Sequence, residues 1–352
     1  MSLTSTLSAD AVSEVDVSGQ IGEVLGLPEH LRDALWRVES AGLRQHDSPG
    51  GLVVAGMGGS SIGGALARAV LGDRASRPIA LARGYELPAW TTPDTTVLCA
   101  SYSGNTEETL AAYEAAQALG ANTIVVSTGG KLAAQARGDG VPVIPLPGGF
   151  QARAAVAYEL VVALEVAWIS GVGERLHSEV DVAAERIVAL TESWGPGGPE
   201  DALPKTLARG LHGTVPVISG AELTAPVAYR WKTQLNENAK IPAFSSELPE
   251  LCHNELVGWE GANDLGHFSS VFLDDCDLHP RIRQRIELTR GLIASRGGQT
   301  FRVESTGHTR LERLMSLVLL GDLVSIYLAV LRKVDPAPVQ ASEALKAALN
   351  GG

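Results

Sequence analysis

Two turns rich in glycine and hydroxyl groups, together with one acid–base pair, are where this sequence could do chemistry. The first turn is Gly56-Met57-Gly58-Gly59-Ser60-Ser61-Ile62-Gly63-Gly64, set after an apolar run and before a helical pattern. Small residues there let backbone N–H groups and a helix N-terminus close on an anion. The second is Ser101-Tyr102-Ser103-Gly104-Asn105-Thr106-Glu107-Glu108-Thr109. Ser101, Ser103 and Thr106 place hydroxyls beside the free N–H groups of a helix start, a cradle for phosphate oxygens that needs no lysine. Each turn also has a plainer reading: glycines kept for packing in the first, an N-cap in the second. One cap uses one hydroxyl, and three are present. A dinucleotide site fits less well, because the G-x-G-x-x-G register fails at Ser61 and no acid closes the strand that ends near Arg83. The acid–base pair is Glu237, near the end of a helical pattern, and His253, in a loop containing proline. Moving a proton from one carbon to the next beside a carbonyl suits a carboxylate partly withdrawn from water. A neutral imidazole can give or take a proton near neutral pH. Read alone, Glu237 is better taken as a solvated acid at a helix end, and His253 as a satisfied loop histidine.

The elements that must position these residues alternate. Apolar strands are predicted at 51–55, 79–82, 97–101, 123–127 and 142–145, with helices at 25–43, 62–71, 106–119 and 131–137. A long apolar helix at 152–168 closes this half, and the glycines and prolines of 193–204 read as a linker. The rhythm repeats with strands at 215–219, 269–273 and 300–303 and helices at 222–238, 280–295 and 309–330. This pattern predicts an α/β protein of two tandem doubly wound domains, parallel sheets flanked by helices. The divisions expected are a leader at 1–25 without assigned role, domains at 26–195 and 205–333, and a tail at 334–352. The apolar stretch 314–331 contains Asp322 and Ser325, which marks it as a buried helix between domains or subunits rather than a membrane span.

Composition narrows the function. A net charge of −12 with no basic run argues against nucleic acid or an anionic membrane as partner. The three cysteines, Cys99, Cys252 and Cys276, have no CxxC spacing, and the eight histidines form no HxH or HxxxH pair, so neither disulfide nor metal is expected. The start lacks a basic region followed by an apolar run, which fits a protein kept in the cytoplasm.

SYSGNTEETL and GMGGSSIGG resemble the sugar isomerase (SIS) domain, whose hydroxyl-rich loop grips the phosphate of a phosphosugar. LNENAKIPAF, ELPELCHNELVGW and the DPAPV…LK tail are similar to the bifunctional phosphoglucose/phosphomannose isomerase family. The resemblance runs from about residue 30 to the end. It implies a cofactor-free and metal-free aldose–ketose isomerase for glucose 6-phosphate and fructose 6-phosphate, with mannose 6-phosphate as a further candidate. Glu237 would shuttle the proton through a cis-enediol, and His253 would assist ring opening from the neighbouring subunit of a homodimer. Arg153 would steady the enediolate, and Lys346 in the tail would close over the substrate. Ser60, Ser101, Ser103 and Thr106 would bind substrate, mainly its phosphate, with the backbone of Gly58 and Gly59 close by. Ser61 stands where relatives often have glycine. Ala337 stands where they often have a threonine associated with accepting both C2 epimers, which places the mannose reaction in more doubt than the glucose one. A non-catalytic phosphosugar-binding regulator, an isomerase of another sugar phosphate and an NADP-linked oxidoreductase are the rival readings. No helix-turn-helix pattern precedes residue 50, and the acid–base pair is intact, which weighs against the regulator.

Overall fold

The structure, a computed structural model, describes residues 6–350. Three helices open the chain: α1 (Ala9–Val15), α2 (Gln20–Leu25) and α3 (Leu27–Ser40). The first two are too short to show a period, yet they are held by local caps. Ser8 accepts from Ala11 N–H at 3.4 Å, and Asp16 accepts from Gln20 and Ile21 N–H at 2.9 and 2.7 Å. Leu7, Val12 and Val24 are buried, so part of the expected leader belongs to the core.

The first α/β unit follows as β1 (Leu52–Ala55), α4 (Gly59–Leu71), β2 (Ile79–Ala82), β3 (Thr96–Ala100), α5 (Glu107–Leu119), β4 (Asn122–Ser127), α6 (Gly130–Gly138) and β5 (Val143–Pro145). Its five strands are parallel in the order β2-β1-β3-β4-β5. Strands β1 and β3 are buried throughout, the mark of a sheet covered on both faces. A 3-10 turn, Ala152–Ala155, leads into α7 (Val156–Ile169). Next come α8 (His177–Trp194), an element the sequence pattern did not separate from its surroundings, and α9 (Leu203–Leu211).

The second unit contains β6 (Val215–Gly220), α10 (Ala225–Glu237), β7 (Phe244–Glu247), α11 (Ala262–Leu265), β8 (Phe268–Asp274), α12 (Pro280–Ser295) and β9 (Gln299–Glu304). Its four parallel strands run β7-β6-β8-β9. Strand β7 has a polar sequence, FSSE, and is half exposed at the sheet edge, which is why alternation did not reveal it. In each sheet the order reverses beside the first strand, β1 or β6, so each unit opens a crevice at that strand's carboxyl end.

Helix α13 (Arg310–Arg332) joins the two units, packing on α8, α9 and α10. It is the one described helix long and apolar enough to cross a membrane, and 94% of its apolar window is buried within the fold. Gly321 at its middle leaves room for Trp231, whose indole ring would collide with any Cβ there. The tail passes from Asp335 to α14 (Gln340–Asn350), a helix exposed along the residues whose burial is described.

Candidate active site

Both turns singled out in the sequence sit at carboxyl ends of strands. The glycine turn leaves β1 and enters α4, whose N-cap is Gly58, with no side chain bonded to its first N–H groups. The hydroxyl turn leaves β3 and enters α5. Thr106 holds the N-cap position there, but its hydroxyl accepts from Ser101 Oγ at 3.0 Å instead of capping the helix. Two helix N-termini thus present N–H groups without a side-chain partner to the same crevice, a setting that favours an anion. The turns are tied together by Ser60, whose Oγ accepts from Tyr102 N–H at 3.1 Å and is hydrogen-bonded with Glu159 Oε1 at 2.9 Å. Ser101 Oγ also accepts from Gly104 N–H, and Ser103 Oγ accepts from Asn105 N–H at 3.3 Å. Ser60 and Ser101 are buried, whereas Gly58 and Ser103 are exposed at the lip.

A close backbone approach links these turns to the acid–base end. Gly59 lies against the 3-10 turn before α7, where a Cβ would come within 2.8 Å of Ala152 O and 3.4 Å of Arg153 Cα. A side chain would push this turn away. Arg153 is buried and spends its guanidinium on five partners, Gln151 Oε1 among them at 3.5 Å from Nη1. Nε donates to Asn238 Oδ1 at 2.6 Å, Nη1 faces Glu237 Oε2 at 3.4 Å, and Nη2 donates to the carbonyls of Pro336 and Ala337 at 2.9 and 3.0 Å. Burial lowers its pKa from the usual value, and Glu237 beside it opposes the shift.

Glu237 is the last residue of α10, and its side chain is 42% exposed. It borders a cleft of about 620 Å³ lined also by Lys240, Asp335, Pro338, Gln340 and Ser342. Lys240, in the left-handed region at φ 54°, donates to Glu237 O and to Pro336 O, the latter at 3.0 Å. Burial and the nearby Arg153 lower the Lys240 pKa. The site therefore brings Glu237, Arg153, the tail and, through Gly59, the two glycine- and hydroxyl-rich turns into one constellation. His253 is exposed at the end of a 3-10 turn, Glu250–His253, whose Leu251 is buried, and has no hydrogen bond or ion pair to Glu237 among the described residues. Lys346 is exposed on α14, four residues beyond Ser342.

Four further side chains escaped the sequence reading. Glu159 is an acid within the apolar run of α7, and that interruption was the available signal. Burial pushes its carboxyl up to about 8, with the Ser60 hydrogen bond opposing. Asn238 and Lys240 lay inside a segment valued for Glu237 alone. Arg230 is buried at four-residue spacing from Gln234 and Asn238, so one face of α10 is polar where a core face is expected. Among the described residues, Asp275, Cys276 and Asp277 offer ligand atoms close enough to share a metal ion. Arg313 already faces that group, with Nε 2.9 Å from Asp275 Oδ2 and Nη2 on Asp277.

Residues 200–349 match the family model described as the bacterial phospho-glucose isomerase C-terminal SIS domain. The chain is 39% identical over 328 residues to a bifunctional phosphoglucose/phosphomannose isomerase of Caldicellulosiruptor bescii, covering 92% of this chain and 96% of that protein. It is 34% identical over 297 residues to a protein of the same name from Aquifex aeolicus, covering 84% and 89%. Among solved structures, a hypothetical protein of Thermus thermophilus aligns with a TM-score of 0.73 at 15% identity, over 97% of this chain and 94% of that one. The C-terminal domain of glucosamine-fructose-6-phosphate aminotransferase from Francisella tularensis gives 0.67 at 15%, over 91% and 98%. At such identities these two likenesses show the fold. Fold, site and relatives together define an α/β SIS-domain protein of the aldose–ketose isomerase class. The chain belongs to the bifunctional phosphoglucose/phosphomannose isomerase family.

Proposed function

We propose that this protein interconverts glucose 6-phosphate and fructose 6-phosphate in the cytoplasm, with Glu237 as the base. The observation that carries the assignment is Arg153, which contacts Glu237 at one end and backs the phosphate turn through Gly59 at the other. A phosphate held at the N-termini of α4 and α5 by Ser60, Ser101, Ser103, Thr106 and the Gly58–Gly59 backbone would anchor the sugar. Its reacting carbons would then extend toward Glu237. The carboxylate takes the proton from one carbon and returns it to the neighbouring one, leaving an enediolate between the two transfers. Arg153, fixed before substrate arrives, meets the developing negative charge without reorganising. Proton transfer of this kind needs neither a metal nor a cofactor.

Ring opening falls to His253 of a second copy. What supports a partner there is the surface around that turn, where Phe244, Val257 and Leu265 are 54%, 69% and 83% exposed. Lys346 and the start of α14 close over the cleft from the tail side. Turnover of mannose 6-phosphate is the weaker part of the reading, because Ala337 supplies a methyl where a hydroxyl would face the C2 epimers.

The test is release of glucose 6-phosphate from fructose 6-phosphate by purified protein, with and without a chelator, beside Glu237→Gln and a mannose 6-phosphate lane. The expected result is chelator-resistant turnover that falls about 10²- to 10⁴-fold in Glu237→Gln, the usual range for a general base. Saturable binding without turnover of either sugar would favour the regulator.

A further inference from the structure

We propose that Glu159 is a positioning residue: a buried acid that keeps its own proton, donates it to Ser60 Oγ and thereby turns the Ser60 hydroxyl hydrogen toward the substrate phosphate. The inference rests on the reading of Ser60 as a phosphate ligand. A serine hydroxyl has one hydrogen to give and two lone pairs to offer. Tyr102 N–H, at 3.1 Å, takes one lone pair, and Glu159 Oε1, at 2.9 Å, occupies a second direction. If Glu159 were ionised, the Ser60 hydrogen would have to point inward at it. No hydrogen would remain for the phosphate, and a buried negative charge would stand behind the anion being bound. With Glu159 protonated, both lone pairs of Ser60 are filled from the protein side and the hydrogen is free to face the crevice.

The surroundings favour the neutral acid. Glu159 is 2% exposed, and no arginine or lysine is bonded to it among the described residues. The charged groups on the elements packed around it lie elsewhere: Arg68, on α4, lines a separate cleft with Arg83 and Arg310. Arg153, on the turn before α7, reaches Asn238 and Glu237. On α3, Asp33 holds Arg37 and Tyr158, and His30 lies against Phe150 and Tyr158. Glu165, farther along α7, is influenced by Arg175 and His177. An isolated buried carboxylate is costly, so the group keeps its proton instead. Burial sets that exchange near pH 8.

The experiment measures KM and kcat for fructose 6-phosphate from pH 7 to pH 9 in wild type and Glu159→Gln. Substrate phosphate, with its second pKa about 6, stays dianionic across this window. In the wild type KM should rise about tenfold, following the protonated fraction of a group near 8, while kcat keeps its own profile. In Glu159→Gln the amide N–H donates to Ser60 at every pH, so KM should stay flat. An equal alkaline rise in both proteins, or none in the wild type, would overturn the proposal. If the variant does not fold, or neither protein turns over, an infrared titration of the wild type reads the same group. A protonated carboxyl band at pH 7 that inorganic phosphate shifts supports the role of Glu159, even where the assigned reaction fails. Absence of such a band overturns that role, whatever the reaction proves to be.

Discussion

A buried guanidinium directs its N–H groups in a fixed fork, and at Arg153 that fork runs to Asn238, Glu237 and two carbonyls of the tail. A lysine would keep the charge and lose the fork. Arg153→Lys should therefore lower kcat about 10²-fold or more, the scale of a lost transition-state donor. Hydrogen exchange in residues 335–342 should quicken at the same time, since Ala337 O loses its donor and Pro336 O keeps only that from Lys240. Ala337, whose carbonyl is one of them, is buried beside the site. Ala337→Thr is expected to raise turnover of mannose 6-phosphate relative to glucose 6-phosphate, and a competition assay with both sugars reads that ratio. Glu159 also links stability to pH. Its folded value of about 8 lies above the ordinary 4.5. The linked stability is thus whole below pH 4.5, declines above it and is gone once the pH passes 8. Denaturant midpoints at pH 5 and pH 9 should diverge by more in wild type than in Glu159→Gln.

Helix α10 carries Glu237, the proposed base, at its last residue, so its seat on α13 decides where Glu237 stands. Arg230 donates to Asp322 through Nε at 3.0 Å and Nη2 at 2.6 Å, and Gln234 donates to the same carboxylate at 2.9 Å. Nη2 of Arg230 also reaches Arg153 O at 3.0 Å, and Asn238 donates to Ser325 Oγ at 2.8 Å. The polar residues that interrupt α13 are therefore the ones that grip α10. Spacing shows why: 230, 234 and 238 share one helical face, while Trp231 and Leu235 pack apolar beside them. Asp322→Ala would leave Arg230 buried and uncompensated, a loss of about 3–5 kcal/mol. Urea unfolding should show that loss, together with a fall in kcat as Glu237 and Arg153 lose their common support. Asp322→Asn, which keeps an acceptor for Arg230, should lose less.

At the scale of the whole molecule, one chain brings together Glu237, Arg153, the tail and both glycine- and hydroxyl-rich turns, and leaves His253 outside this group. The dimer reading makes a sharp demand. Glu237→Gln and His253→Ala, each inactive alone, should complement when their subunits are mixed under exchange conditions. Random reassortment of a two-fold dimer gives about a quarter of wild-type activity, because half the dimers are mixed and each holds one intact site. No recovery, in a mixture shown to have exchanged, would place ring opening within one chain or with another residue.

Much of this protein is local, and what is local was legible. Alternating apolar runs and glycine turns announced parallel sheets, because a strand covered on both faces must be apolar throughout. The turns at 56–64 and 101–109 raised the expectation of an anion site, because three hydroxyls are more than one helix cap uses. Short or edge elements were not legible: α1 and α2 lack the length for a period, and β7 is a polar strand at a sheet edge. The convergence of distant residues was also hidden. That Arg153 meets Glu237, that Gly59 touches its backbone, and that Asp322 holds Arg230 depend on packing between segments far apart in the chain. Glu159 makes the point most simply. In sequence it is one acid among apolar neighbours, and its chemistry follows from the Ser60 hydroxyl that the fold brings to 2.9 Å and from the burial that removes its charge.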